Sequence, residues 1–207
     1  PDYRRVDDPD ALVWFSDYWC TELDSTPGLT VVEITDAALS GQIKGMYIMG
    51  ENPAMSDPDL NHARAALAKL EHLVLQDLFL TETAAFADVI LPASAFPEKT
   101  GTFSNTDRRV QLGRQALDPP GDARQDLWII QQIAKRLGLK WEYADVRDVF
   151  DEMRDAMPSI SGMTWERLES EHSVTYPCEE ASDPGQSVVF EESFPTADGR
   201  GRFVPAG

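Results

Sequence analysis

Short apolar runs alternate with a helical pattern over residues 45–92, and this alternation predicts a strand–helix–strand unit. Met46–Met49 is an apolar run between two glycines, too short for a helix and of the right length for a strand buried on both faces. Asp57 and Pro58 predict a helix start, with an N-cap acid before a proline at the first helical position. Apolar residues recur at helical spacing from Leu60, and His72–Gln76 is the second predicted strand. A unit of about thirty residues with one crossover helix makes its two strands parallel.

A third strand is predicted at Asp88–Leu91, where Pro92 closes another apolar run. We therefore expect an α/β fold, a three-layer, open, mainly parallel and Rossmann-like sheet with flanking helices. The α/β domain is predicted over residues 1–170 with its core at 45–140, and residues 171–187 are predicted to form an exposed acidic loop. Further helices are predicted within residues 1–29 and at Thr30–Ser40, Asp126–Gly138, Val146–Met157 and Trp165–Leu168.

The composition is that of a folded globular domain with a strongly acidic surface. The chain has 207 residues, 42% of them hydrophobic, and its 18 basic and 36 acidic residues give a net charge of −18. Such a charge repels nucleic acid and anionic membranes. No apolar run approaches the roughly twenty residues of a membrane span. We expect a cytoplasmic protein that has no membrane span and, because of its charge, binds no nucleic acid.

The residues that commonly bind metals or carry out catalysis are few and scattered. Cys20 and Cys178 are separated by 158 residues, form no C-x-x-C pair and are expected to be free thiols. His62, His72 and His172 fall on a helix, a strand start and a loop. We predict no catalytic group and no metal site within the chain.

Polar residues follow the predicted parallel strands at the ends where open α/β sheets bind ligands. Asn52 and Ser56 come after the first strand and before a helix, a position that suits a phosphate. Asp77 comes at the tip of the second strand, where a carboxylate can accept hydrogen bonds from a ribose or a guanine edge. In the alternative interpretation Asn52 turns the chain, Ser56 and Asp57 cap a helix, and Asp77 ends a strand.

Three segments give the chain a specific resemblance to a known family. They are YIMGENPAMSDPDL, the combination of A-D-V-I-L-P with E-K-x-G-T-F-x-N-x-x-R-R, and the later ARQDLW. Through these segments the chain resembles the catalytic subunit of the molybdopterin oxidoreductases, most closely the NAD-linked formate dehydrogenase alpha subunit, and the similarity spans nearly the whole chain.

The resemblance implies that this part of the subunit binds one of two molybdopterin guanine dinucleotides around a molybdenum or tungsten ion. It implies a dinucleotide loop at Gly50, Glu51 and Asn52, with Ser56 near the phosphates, and contacts from Gln76 and Asp77 to the guanosine. It further implies a basic contact from Lys99, an acidic contact from Asp126 to the guanine, and a pterin-side motif at Asn105, Arg108 and Arg109. Three alternatives stay open: Lys99 is a surface lysine, Arg108 and Arg109 pair with neighbouring acids, and Asp126 is the N-cap of a helix at Leu127–Leu137.

The chain also departs from the family pattern. The four spaced cysteines of the iron–sulfur motif and the Cys or selenocysteine that ligates the metal are absent from it. We therefore expect a piece of a longer subunit in which residues 171–207 lead into the cap domain of the family. The parent is expected to oxidise formate and to work with flavin and iron–sulfur subunits that pass electrons to NAD. The alternative is a noncatalytic nucleotide-binding or scaffold domain of a related redox complex.

Overall fold

The computed structural model describes residues 2 and 4–205, which fall into two compact units. One unit contains residues 4–101 and 113–148, and the other contains residues 2, 102–112 and 149–205. The helices are α1 (Pro9–Tyr18), α2 (Val31–Leu39), α3 (Pro53–Ser56), α4 (Leu60–Leu67), α5 (Asp126–Arg136), α6 (Val146–Ala156) and α7 (Trp165–Glu171). The strands are β1 (Gly45–Met49), β2 (His72–Asp77), β3 (Val89–Pro92), β4 (Gly101–Ser104), β5 (Arg109–Gly113) and β6 (Ser173–Thr175).

The first unit is built on a parallel sheet of three strands in the order β1-β2-β3. Ile48 pairs with Leu75 across β1 and β2, and Leu75 pairs with Ile90 across β2 and β3. Ile48, Leu73 and Leu75 pack with Ala54 and Leu67 of α3 and α4 into one buried cluster. The predicted strand–helix–strand unit, its parallel pairing and the α/β fold class are confirmed, because alternate strand residues bury one apolar face under a crossover helix.

The prediction that the first strand is buried on both faces is wrong. Ile48 is buried, but Tyr47 and Met49, which point to the opposite face, are 44% and 48% exposed. The reason is that α3 and α4 pack on the face that bears Ile48, while the opposite face of this edge strand stays partly open.

The predicted helix start at Asp57 and Pro58 is also wrong by two residues. Asp57 accepts the backbone N–H of Asp59 at 2.9 Å, and Asp59 accepts that of His62 at 3.2 Å as the N-cap of α4. Asp57 and Asp59 each accept a backbone N–H, and it is Asp59, the second of the two, that caps the helix. The preceding loop contains the short helix α3, which the apolar pattern did not indicate.

Local start and stop signals predicted other helices correctly. Thr30 caps α2, and Glu33 completes a capping box by accepting the Thr30 backbone N–H at 2.7 Å. Gly138 follows α5 with φ of +83°, the left-handed conformation that ends a helix at glycine. Among residues 2 and 4–205, no helix is long and apolar enough to cross a membrane.

The second sheet has the order β4-β5-β6, and β5 pairs with β6 in the antiparallel direction. The prediction of an exposed loop over residues 171–187 is therefore wrong in part, because Val174 in β6 and Cys178 are buried. The predicted boundary at residue 170 coincides with no limit of the two units, and it stays a prediction about where a cap domain begins. The outer limits of the predicted domains, residues 1 and 207, lie outside the described residues.

Candidate functional site

The three loops that leave the carboxyl ends of the parallel strands start side by side. Gly50 follows β1 in the left-handed conformation, with φ of +67°, and donates its N–H to the Gln76 carbonyl at 2.9 Å. Ala93 follows β3 and donates its N–H to the Asp77 carbonyl at 3.0 Å. The glycine is needed because a side chain at this φ is strained. The loops therefore form one continuous edge, as an open parallel sheet requires for a ligand site.

The side chain of Asn52 ties the first loop to the second. Its Oδ1 accepts the Thr83 backbone N–H at 3.1 Å and the Thr83 hydroxyl at 2.8 Å, and its Nδ2 donates to Glu82 at 2.7 Å. Thr83 is fully buried, and its hydroxyl accepts the Ala54 N–H at 3.1 Å. The Asn52 hydrogen bond also lowers the pKa of the Glu82 carboxyl. Asn52 thus holds the loop in place, which is the structural role that its alternative interpretation gave it.

Four side chains from distant parts of the sequence form a polar network at the same edge. Gln76, which is fully buried, donates its Nε2 to Asp126 Oδ1 at 2.7 Å. The Tyr47 hydroxyl donates to Gln76 Oε1, and Lys99 donates to Asp126 Oδ2. The Asp126 side chain is thereby fixed at both oxygens, one by an amide and one by an ammonium group.

This network bears on the alternative interpretations of Asp126 as a helix N-cap and of Lys99 as a surface lysine. Asp126 is the first residue of α5, whose N-cap is Gln125, so the N-cap interpretation of Asp126 is wrong. Lys99 is partly buried, with a quarter of its side chain exposed, and it forms an ion pair. Burial, and then the charge of Asp126, raise the pKa of Tyr47, so its phenol stays a hydrogen-bond donor at neutral pH.

The other predicted site residues of this unit, Glu51, Ser56 and Asp77, lie outside this network. Asp77 is half-buried, and one of its oxygens accepts the Leu78 N–H at 2.7 Å. The Ser56 hydroxyl donates to the Asn52 carbonyl at 3.1 Å, and Glu51 is exposed. Among the described residues only one Asp77 oxygen accepts a hydrogen bond, so the carboxylate keeps acceptor capacity at the strand end.

Two hydroxyls at this edge are buried and have no hydrogen-bond partner in the part of the chain that the structure describes. They are the side chains of Thr81, in the loop after β2, and Ser94, in the loop after β3. Ser94 is only 1% exposed, so neither protein nor bulk water satisfies it among the described residues. Such groups are rare in native proteins, and a bound polar group is one explanation for them. Sequence analysis missed both residues, as it missed Tyr47, although the strand-end rule covers the positions of Thr81 and Ser94.

The three predicted pterin-side residues lie in the other unit. Asn105 and Arg108 bracket a turn between β4 and β5, where the Arg108 N–H reaches the Asn105 carbonyl at 2.9 Å. The Arg108 guanidinium donates to the carbonyls of Tyr176 at 2.6 Å and Ser187 at 2.9 Å. Arg108 therefore binds carbonyls and not the acids that its alternative interpretation named, while Arg109 is exposed.

Both cysteines are free thiols, as predicted, with Cys20 exposed and Cys178 buried. Burial raises the pKa of the Cys178 thiol, although the neighbouring Arg167 acts in the opposite direction. In the part of the chain that the structure describes, no group of three His, Cys, Asp or Glu side chains is arranged to hold a metal ion.

Residues 11–136, which contain the parallel sheet and its carboxyl-end loops, match the family model of the molybdopterin oxidoreductases. The chain belongs to this family. It is 45% identical over 99% of its length to the F420-dependent formate dehydrogenase subunit alpha of Methanocaldococcus jannaschii, of which it covers 30%. It is 35% identical over 98% of its length to formate dehydrogenase H of Escherichia coli, of which it covers 29%.

A solved structure supports the fold independently. Acetylene hydratase from Pelobacter acetylenicus matches 70% of the chain with a TM-score of 0.57 and 22% identity, and the match covers 20% of that protein. This likeness concerns the fold alone. The chain spans about a third or less of the length of the relatives that it matches.

Proposed function

We propose that the carboxyl edge of the parallel sheet binds the guanosine end of one molybdopterin guanine dinucleotide. The observation that carries this proposal is the pair of buried, unpartnered hydroxyls of Thr81 and Ser94, which lie on the loops of the edge that also bears Asp77 and Asp126. A guanosine offers hydroxyls and adjacent N–H donors, and these groups match two hydroxyls and two carboxylates.

The roles follow from the lone pairs that the protein leaves unused. A carboxylate has about four acceptor positions. At Asp126, Gln76 and Lys99 take one position on each oxygen, which leaves acceptors for the two adjacent N–H groups of a guanine edge. Asp77 has a free oxygen for a ribose hydroxyl, and the ammonium group of Lys99 supplies positive charge for the phosphates. Gly50, Glu51 and Ser56 line the approach to the phosphates, and Asn52 fixes their loop.

The metal that the pterin carries, molybdenum or tungsten, supplies a centre that accepts two electrons. We propose that the complete subunit uses it to oxidise formate to carbon dioxide, with release of a proton and two electrons. The names of the relatives in Methanocaldococcus jannaschii and Escherichia coli support formate as the substrate. We further propose a cytoplasmic complex that carries the electrons to NAD. Its iron–sulfur clusters would lie in the rest of the parent subunit and in a partner subunit, and its flavin in a partner subunit.

The guanosine assignment is tested by Asp126→Ala in the complete subunit. We expect the bound guanine nucleotide and the bound metal to fall together by more than tenfold, because a site built to pair a polar edge loses its discrimination with its acceptor. Both are measured per polypeptide, by chromatography after denaturation and by metal analysis. Asp122→Ala, at an exposed acid shortly before α5, is the matched control and should keep both.

A variant that keeps full guanine nucleotide and metal would refute the role of Asp126. The parent activity has a separate test, formate-dependent reduction of NAD by the purified complex. Coenzyme F420 is the comparison acceptor, because relatives carry F420 in their names. Reduction of F420 alone would refute the NAD linkage. Bound nucleotide without formate oxidation by any acceptor would favour the noncatalytic scaffold.

A further inference from the structure

We infer that Tyr47 is a positioning residue for nucleotide binding, acting through the Gln76 amide to orient the Asp126 carboxylate. The inference rests on the proposed function, since it concerns the residue that would read the guanine edge. Tyr47 lies in β1, 79 positions before Asp126 in the chain, and the hydrogen bonds Tyr47–Gln76 and Gln76–Asp126 join the two.

The orientation of the Gln76 amide follows from the chemistry of its partners. A glutamine amide has an acceptor end and a donor end. An ionised carboxylate only accepts, so the Nε2 end must face Asp126. The Oε1 end is then left in a fully buried position, where an unpaired acceptor is costly. The Tyr47 hydroxyl is the donor that satisfies it.

Removal of that hydroxyl affects Asp126 because no orientation of Gln76 is then satisfied at both ends. If Gln76 keeps its orientation, Oε1 is buried without a donor. If the amide turns over, Oε1 faces the Asp126 carboxylate and two acceptors meet. In either case the hydrogen bond that holds Asp126 Oδ1 weakens, and only the bond from Lys99 still fixes the carboxylate.

The position of Tyr47 suits this role better than a role in packing. The residue is 44% exposed on the open face of an edge strand, while the opposite face of that strand carries the apolar cluster. Replacing Tyr47 with phenylalanine therefore removes a hydroxyl from the network without emptying the core. A phenol is protonated at neutral pH and able to donate, and burial raises the pKa of Tyr47 further.

The test uses the complete subunit prepared without cofactor, titrated with GDP and with IDP, which lacks the guanine amino group. For wild type we expect tighter binding of GDP. For Tyr47→Phe we expect the affinity for GDP to fall about three- to tenfold, and the preference for GDP over IDP to fall with it. The reason is that Gln76, left with an unpaired buried acceptor, no longer holds the Asp126 carboxylate in the orientation that pairs with the guanine edge. Tyr176→Phe is the hydroxyl-removing control in the other compact unit and should leave both quantities unchanged.

A double variant separates positioning from a general structural effect. In the Asp126→Asn background the carboxylate that Tyr47 is inferred to orient is absent, so Tyr47→Phe should change GDP affinity by less than about twofold. Equal losses in both backgrounds, or equal losses for GDP and IDP, would overturn the inference. So would a Tyr47→Phe variant that binds like wild type while Asp126→Asn binds weakly. If the wild-type subunit binds no GDP, or Asp126→Asn binds it like wild type, the proposed function itself fails.

Discussion

At the scale of single residues, the sequence predicted where polar side chains stand better than what they touch. The strand-end rule placed Asn52, Gln76 and Asp77 at one edge, and the resemblance added Lys99 and Asp126. The sequence could not predict that the Asn52 side chain forms hydrogen bonds with Thr83 and Glu82, since those partners are about 30 positions away and lie in a different loop. Side-chain pairing depends on the distances that the fold creates, and a single sequence does not contain them.

The contribution of the Thr83 hydroxyl to stability can be measured by substitution. Thr83→Val keeps the shape of the side chain but leaves the Ala54 N–H and one acceptor position of Asn52 without their hydroxyl partner. We expect the free energy of unfolding to fall by about 2 kcal/mol, the typical cost of unpaired buried polar groups. Urea unfolding measures it. Thr21→Val, at an exposed threonine of the same unit, is the control. An equal effect of the two substitutions would contradict the role of the Thr83 hydroxyl in joining Ala54 and Asn52.

At the scale of secondary structure, local signals predicted elements well and tertiary surroundings poorly. The capping box of α2 and the glycine after α5 depend on residues within one turn, and both were predicted. The burial of β1 was not, because it depends on which elements cover each face, and α4 began two residues late because two acids compete as caps. The antiparallel pairing of β5 with β6 joins segments more than 60 residues apart. The pattern of apolar residues along the chain does not indicate which distant strands pair.

The capping box of α2 also predicts a pH dependence. Hydrogen bonds from the backbone N–H and the hydroxyl of Thr30 lower the pKa of the Glu33 carboxyl below its ordinary value. A carboxyl with a lowered folded pKa stabilises the protein above its unfolded pKa and loses that effect as pH falls through the folded pKa. Glu33→Gln keeps a capping side chain without the charge. We therefore expect the difference in urea midpoint between wild type and Glu33→Gln to shrink from about pH 6 to about pH 3. A constant difference over this range would contradict the assignment.

At the scale of the whole molecule, each compact unit is assembled from segments that are far apart in the chain. Residues 102–112 belong with 149–205, and the chain returns between them to the other unit. In the unit with the second sheet, close backbone approaches fix the path of residues 176–187. A Cβ at Gly162 or Gly185 would collide with the carbonyl oxygens of Glu180 or Thr175. Arg108 adds two hydrogen bonds to this same segment, so a turn between two strands holds a loop about 70 to 80 positions later.

Arg108 and Arg109 form a natural matched pair for testing that connection. Arg108→Met removes donors to the Tyr176 and Ser187 carbonyls while keeping a long apolar stem. Charged donors contribute about 1.5–3 kcal/mol per hydrogen bond, and less where solvent competes, so we expect a loss of about 2 kcal/mol of unfolding free energy. Hydrogen exchange followed by mass spectrometry should show faster exchange in peptides that cover residues 173–187.

The β2 peptide, with which Arg108 makes no described contact, is the internal reference. Arg109→Met, at an exposed neighbour, should leave the 173–187 peptides protected. If the two variants exchange alike, the guanidinium of Arg108 does not hold this loop, and the pterin-side role that the family resemblance implies becomes the better account of its position.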